Sequence, residues 1–147
     1  MRFSKGKHEG KAFEEVLLKD PAYAQWLTTK GAPALAKEFH KLIRLFDQKP
    51  MTVPCVECGN TATRATGYTG SRALFFWCES CNPRRSGASV AASSKLHLVR
   101  TFNDAMQHID KTLNGDQTAK AKIVRYLAEA KGLPKRVDED AALAFFS

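Results

Sequence analysis

The first third of the chain carries an apolar stripe at helical spacing. Its members are Leu35, Phe39, Leu42, Ile43 and Phe46. Their positions follow the pattern i, i+4, i+7, i+8 and i+11, which is typical of an amphipathic helix that buries one face. Gly31 interrupts the preceding segment, and Pro33 is suited to the first turn of a helix. The pattern therefore predicts a long helix that begins at Pro33.

Two shorter helices are predicted ahead of it. One covers residues 13–19, and Asp20-Pro21 begins the next, with Asp20 as its N-cap and Pro21 at its first position. Tyr23 and Trp26 fall on one face of this second helix, and we expect both to pack in the core.

The last third of the chain is also predicted to be helical. Its first apolar face consists of Leu98, Phe102, Ala105, Met106, Ile109 and Leu113. Ser93 or Ser94 is expected to cap this helix. A second helix is predicted over about 118–131, where Gly132 fits the left-handed position after its end. Asp138 is expected to cap a third, short helix.

The middle of the chain has a strand pattern. Residues 60–66 are rich in Thr, 67–70 are turn-like, and 71–77 are aromatic and β-forming, which predicts a hairpin. Alternation places Phe75 and Trp77 on one face and Leu74 and Phe76 on the other. One face should pack on the helices. The other either offers aromatic rings beside Arg64 and Arg72 for base stacking or is itself covered by the flanking helices.

Four cysteines frame this hairpin as two close pairs. Cys55 and Cys58 are separated by two residues, as are Cys78 and Cys81, and 19 residues lie between the pairs. This spacing lets four sulfurs reach one tetrahedral ion and resembles a four-cysteine zinc ribbon. We therefore predict one zinc ion, structural because four thiolates leave no open position. The alternatives are a redox dithiol pair or free cysteines in a core.

These elements together predict an α+β fold in four parts. They are an N-terminal α/β module over 1–49, a zinc-ribbon hairpin over 50–82, a basic linker over 83–94 and a helical region over 95–147. No apolar run approaches the roughly 20 residues that a membrane span needs. We expect a soluble cytoplasmic protein, a compartment in which thiols stay reduced.

Charge adds a predicted partner. The 147 residues carry a formal net charge of +8. Residues 1–50 hold ten Lys or Arg against six Asp or Glu, and residues 83–100 hold four against none. A basic excess that is confined to two segments favours a polyanion, most simply nucleic acid. The alternative is a soluble protein that merely has a basic isoelectric point.

The N-terminal segment supplies several of the candidate contacts. Gly6 and Gly10 bracket a basic turn whose amide and ammonium groups could approach phosphates. The candidate nucleic-acid contacts of the whole chain are Lys5, Lys7, His8, Lys11, Arg64, Arg72, Arg84 and Arg85. The alternative for the turn is a surface loop with solvated lysines.

The same segment resembles a known small domain. The motifs that carry the resemblance are Gly6-Lys7-His8-Glu9-Gly10-Lys11, Phe13-Glu14-Glu15-Val16, Asp20-Pro21-Ala22-Tyr23 and Trp26-Leu27. In that order they are similar to the C-terminal small domain of exodeoxyribonuclease X-like proteins, over about one sixth of the chain. Glu9 stands where that family usually has a basic residue. The family's nuclease domain has no counterpart here, so the resemblance implies an accessory module that contacts nucleic acid.

The sequence therefore predicts a non-catalytic, zinc-containing protein that binds nucleic acid, with DNA preferred over RNA as the expectation, through phosphate contacts. One alternative is an adaptor that holds a protein partner. A metal-dependent nuclease is the other, but it needs clustered carboxylates, and Glu14, Glu15 and Asp20 are scattered.

Overall fold

A computed structural model describes residues 1–69, 73–81 and 96–147, with Leu96 described by its backbone alone. Six helices and three strands lie within these ranges: α1 (Phe13–Lys19), α2 (Pro21–Lys30), α3 (Pro33–Gln48), β1 (Arg64–Tyr68), β2 (Leu74–Trp77), β3 (Leu96–Val99), α4 (Phe102–Thr112), α5 (Gln117–Ala130) and α6 (Glu139–Phe146). The α+β class predicted from the sequence is confirmed, but residues 1–49 hold three helices and isolated β-bridges instead of the strands that an α/β module would have.

The N-terminal segment closes into a compact loop before α1. The Gly10 amide donates to the Phe3 carbonyl at 2.8 Å, and the Phe3 amide donates to the Lys11 carbonyl at 3.1 Å. Gly6 and Gly10 have φ values of 88° and 81°, which glycine adopts without steric cost. Phe3 is buried, with its ring centroid 4.7 Å from that of Phe13. The predicted turn is confirmed, and the apolar side chain beneath it anchors it to the helices.

The starts of α2 and α3 follow the sequence signals. The Asp20 carboxylate accepts a hydrogen bond from the Tyr23 amide, and Pro21 occupies the first turn of α2. Helix α3 begins at Pro33, as predicted. Its stripe faces inward: Phe39, Leu42, Ile43 and Phe46 are buried, and Leu35 is partly buried against them.

The predicted beginning of the helical region is wrong. Residues Leu96–Val99 form strand β3, and Leu98 is 44% exposed instead of lying on a buried helix face. Helix α4 begins at Phe102, and its cap is Thr101, whose hydroxyl accepts from the Asp104 amide while Asp104 bonds back to the Thr101 amide. This capping box defines the helix start, and pairing with β1 satisfies the backbone of the residues before it. Ser93 and Ser94 lie outside the described residues.

The sheet is antiparallel with strand order β2-β1-β3. Ala65 pairs with Phe76 on one side and with Val99 on the other, and these residues face the helices. Thr66 pairs with Phe75 and with Leu98 in the same way, on the opposite, outer face. The sheet therefore has one face in the core and one that points away from the helices.

Helices α3 and α5 hold the chain that leads into the cysteine region. The Thr52 amide donates to the Ala130 carbonyl of α5 at 2.7 Å. The Lys131 ammonium donates to the Lys49 carbonyl at 2.8 Å, beyond the end of α3. Burial of Lys131 lowers the pKa of its ammonium group. Within the described ranges, no helix combines the length and the apolar character that crossing a bilayer requires.

Candidate metal centre and adjoining sheet face

Two tight turns bring the four cysteines together. In the first turn the Gly59 amide donates to the Cys55 carbonyl at 3.1 Å, and Gly59 has a φ of 81°. This left-handed conformation favours glycine. The Val56 amide donates to the Phe76 carbonyl of β2 at 2.9 Å, which docks the first turn beside the strand that leads to Cys78. In the second turn the Cys81 amide points at the Cys78 sulfur, 3.4 Å away.

The sulfur positions fit a single metal ion. The four Sγ atoms of Cys55, Cys58, Cys78 and Cys81 all lie within 4.8 Å of one another, and those of Cys58 and Cys78 are 3.5 Å apart. Four sulfurs about 2.3 Å from a tetrahedral zinc ion would be separated by about 3.8 Å. The predicted ligand set is therefore assembled with spacing that can hold a metal ion such as zinc.

The surroundings favour thiolates at two of these positions. Burial opposes ionisation of Cys55, but the amides of Cys58, Cys78 and Glu57 outweigh it and lower the pKa of Cys55 to about 6. The Cys81 amide likewise lowers the pKa of Cys78. The Cys81 pKa is raised because its thiol is hydrogen-bonded to Cys58. Thiolate is the form that binds metal, so the backbone amides prepare Cys55 and Cys78 as ligands.

Trp77 joins the cysteines to the sheet. It is buried with Cys55 and Cys78 in a small cluster separate from the main core. Its indole Nε1 donates to the Thr66 hydroxyl at 2.9 Å, and Thr66 is fully buried in the middle of β1. The metal centre therefore supports the outer face of the sheet through one side chain.

The outer face exposes apolar side chains. Phe75 is 43% exposed and Leu98 is 44% exposed, one on either side of Thr66. The Tyr68 ring meets the Phe75 ring edge to face, with centroids 5.7 Å apart. The sequence left two alternatives for this face of β2: exposed aromatic rings or burial. Phe75 is exposed and Trp77 is buried, so each alternative holds for one of the two rings.

Arg64 lies at the start of β1, on this same face by alternation with Thr66. It is half-buried, and its Nε is buried without a hydrogen-bond partner in the part of the chain that the structure describes. Arg64 makes none of the ion pairs described there, and β1, β2 and β3 contain no Asp or Glu. The candidate contact Arg64 therefore lies beside apolar side chains, on strands that carry no carboxylate.

The candidate contacts of the N-terminal loop divide into two kinds. Lys7 and His8 both bind Asp20, at 3.2 Å and 2.9 Å from its carboxylate. Burial opposes ionisation of Asp20, but the bonds from His8, Lys7 and the Tyr23 amide outweigh it and hold the pKa of Asp20 below its usual value. Lys5 and Lys11 are exposed and enter none of the ion pairs of the described residues. Within the described part of this loop, unpaired lysine charge is thus found on Lys5 and Lys11.

The remaining candidates, Arg72, Arg84 and Arg85, lie outside the described residues, as does the predicted linker over 83–94. The structure brings together the four cysteines and, separately, Lys7 with His8. Arg64 lies in the sheet as the cross-strand partner of Trp77.

Sequence reasoning misses three features of the surface. Helical periodicity places Leu98 in a helix, although the alternation of Leu96 and Leu98 around His97 is a strand signal. Trp26 is expected in the core but is 49% exposed, stacked on Tyr23 at a centroid distance of 5.9 Å. Three further cations line the exposed side of α3, outside the ion pairs of the described residues: Lys37, Lys41 and Arg44.

Among the residues that the structure describes, the four cysteines form the one group of three or more potential ligands close enough to share an ion. No family model, curated protein or solved structure matches the chain.

Proposed function

We propose that this protein is a zinc-containing, non-catalytic accessory protein that binds nucleic acid, most simply DNA, mainly through the phosphate backbone. One observation carries the proposal: the sheet beside the cysteines presents exposed Phe75 and Leu98 next to Arg64, and its strands hold no carboxylate. A phosphate backbone needs cations without competing anions, and bases need apolar surface.

Zinc is the metal we assign to the cysteine centre. Four thiolate ligands in a reducing compartment favour zinc, and four protein ligands leave no position for a reacting water. When bound, the metal supplies folding energy to two turns that bury few apolar side chains of their own. Two cysteine turns against a three-stranded antiparallel sheet also support the zinc-ribbon interpretation of this region.

We rank the candidate phosphate contacts by whether a carboxylate of the protein already pairs with the cation. Arg64, Lys5 and Lys11 are available, whereas Asp20 competes for Lys7 and His8. Arg72, Arg84 and Arg85 remain candidate contacts on sequence alone. The exodeoxyribonuclease X-like resemblance of the N-terminal loop supports the same accessory role.

A salt-titrated binding series tests the proposal. The zinc-loaded protein is titrated with single- and double-stranded DNA and RNA between about 50 and 200 mM salt. The affinity should fall steeply, because each phosphate contact releases counterions and contributes about 0.7–0.9 to the slope of log K against log salt. An affinity that barely changes with salt would contradict it.

Arg64→Gln should reduce that slope by about one contact. Arg136→Gln is a matched control, since it removes the same charge from an exposed position on the helical side of the chain. Equal effects of the two variants would mean that net charge alone drives binding.

A protein adaptor is the second candidate, and exposed Trp26 favours it. Stable binding of all four nucleic acids would argue against it as the main role. No affinity for any of them would favour it.

A further inference from the structure

We infer, building on the proposed function, that the outer sheet face takes single-stranded nucleic acid, with an unpaired base stacked on the ring of Phe75. The outer sheet face, defined by alternation along the strands, comprises Arg64, Thr66, Tyr68, Phe75, Trp77 and Leu98, of which Thr66 and Trp77 are buried.

The face is built around Thr66. Phe75 and Leu98 are its direct cross-strand partners on either side, so they stand two strand spacings apart, about 10 Å. Both are more than two-fifths exposed, whereas Thr66 between them is fully buried. The exposed apolar side chains are thus carried by paired strands instead of by a loop.

Neighbouring side chains on the sheet hold the Phe75 ring in position. The Tyr68 ring packs against it edge to face at 5.7 Å, and beside it on the same face the Trp77 indole donates to the Thr66 hydroxyl. Trp77 in turn is buried with Cys55 and Cys78. A ring that is fixed before binding loses little conformational entropy when a base stacks on it.

The charge around Phe75 suits the backbone of such a strand. Arg64 lies on the same face, two positions from Thr66, and Arg100 follows β3 with its side chain exposed. No strand residue is acidic, so a phosphate meets no repulsion from the face itself. An apolar protein partner would gain nothing from these cations.

A single strand is favoured over a duplex because the exposed Phe75 ring lies on a sheet face, where it can stack only on an unpaired base. In a duplex the faces of the bases are covered by their stacked neighbours, so an exposed ring on a sheet can reach only base edges or the backbone. Unpaired bases offer their faces to aromatic side chains, and this stacking tolerates every base. An exposed phenylalanine on a flat sheet face therefore indicates a strand that is already unpaired.

The experiment is a competition of the zinc-loaded full chain between 15-mers of oligo-dT or oligo-rU and a 15-base-pair duplex, followed by fluorescence anisotropy. We expect at least tenfold preference for the single strands. Phe75→Leu keeps an apolar side chain but removes the π face, and should weaken single-strand binding about tenfold while leaving duplex affinity and salt slope unchanged. Phe75→Tyr should retain the affinity of the unaltered protein. Trp26→Leu, an exposed aromatic substituted on the helices, should change neither affinity.

The outcomes separate the inference from the proposed function. Salt-dependent binding that treats duplex and single strand alike, with Phe75→Leu unchanged, would overturn the inference and leave the proposed function in place. An equal loss for Phe75→Leu and Trp26→Leu would also overturn it. No binding of any nucleic acid would overturn the proposed function. One-to-one zinc content and an unchanged circular dichroism spectrum show that each variant is folded.

Discussion

Two regions of this protein bury their side chains in different ways. The helical body, α1 to α6 with its inner sheet face, has a continuous apolar core in which Phe39, Phe46, Phe102 and Leu127 are fully buried. The cysteine turns have only Cys55, Trp77 and Cys78, with Cys81 partly buried against them, among the described residues. The body is stabilised by apolar burial, whereas the turns bury few side chains and are expected to depend on a bound metal.

The difference bears on function. On the outer sheet face beside the cysteine turns, Phe75 and Leu98 are left exposed. The body places most of its aromatic residues in the core, with Trp26 as an exposed exception. We therefore expect the two regions to respond differently to metal removal and to core truncation.

Metal removal should give the largest effect. Chelation by EDTA should abolish hydrogen-exchange protection in the two cysteine turns, residues 55–60 and 78–81, because structural zinc supplies folding energy on the order of 10 kcal/mol. Helices α3 and α5 should keep their protection, since their core is apolar. Hydrogen-exchange mass spectrometry measures both regions at once. Protection of the turns that survives complete removal of the metal would show that the turns do not depend on it.

Truncation of a core side chain should destabilise the helical body and leave zinc binding by the cysteines intact. Phe39 is fully buried and packs on Phe13, with ring centroids 5.2 Å apart. Phe39→Ala should lower the free energy of unfolding by about 3–5 kcal/mol, while the folded variant still binds one zinc ion. Leu45→Ala, on the exposed side of the same helix, should cost less than about 1 kcal/mol. Urea unfolding followed by circular dichroism gives both values. Loss of zinc binding by folded Phe39→Ala would show that the regions are coupled more tightly than proposed.

The bond between Trp77 and Thr66 links the two regions. Trp77→Phe removes the indole donor and should cost about 0.5–1.5 kcal/mol for the hydrogen bond, with a further loss for the smaller ring. Trp26→Phe is the control, because Trp26 is half exposed and should change stability by less than about 0.5 kcal/mol. Thermal unfolding measures both. Equal melting temperatures for Trp77→Phe and Trp26→Phe would show that the Trp77 bond does not stabilise the outer sheet face.

The smallest expected effect concerns Asp20. Its pKa is held below the usual value, so its charge stabilises the fold above about pH 4 and this contribution is lost as the pH falls through the lowered pKa. Asp20→Asn keeps an oxygen to cap the Tyr23 amide but loses the charge. The variant should be less stable than the unaltered protein by about 0.5 kcal/mol at pH 6, since the carboxylate is only partly buried and solvent screens its ion pairs. The difference should vanish near pH 2. A difference that stays constant over this range would assign the effect to the cap and not to the charge.

The sequence predicted the helices well where local signals agreed. Asp20 with Pro21 began α2, and Pro33 began α3 together with its apolar stripe. The cysteine cluster was also predictable, because a two-residue spacing restricts where two sulfurs can lie. These features depend on a few neighbouring residues.

The sheet was harder to predict because its third strand pairs over a long distance. Leu98 falls at a position that continues the apolar face of α4 toward its N-terminus, so helical periodicity assigned it to that helix. It pairs instead with β1, and the capping box of Thr101 and Asp104 marks where α4 begins. The partnering of Lys7 and His8 with Asp20 depended likewise on how the loop folds onto α2. The exposure of Phe75 could be stated only as an alternative, because alternation says which residues share a face but not what covers it.

If nucleic acid binds as proposed, it contacts the outer sheet face. An NMR titration of the labelled, zinc-loaded protein with a short oligo-dT strand identifies the contacted residues. We expect the side-chain signals of Phe75, Tyr68 and Leu98 and the guanidinium signal of Arg64 to shift, while those of Trp26 stay unchanged. Shifts centred on the N-terminal loop or on the exposed side of α3, with Phe75 unchanged, would contradict this expectation.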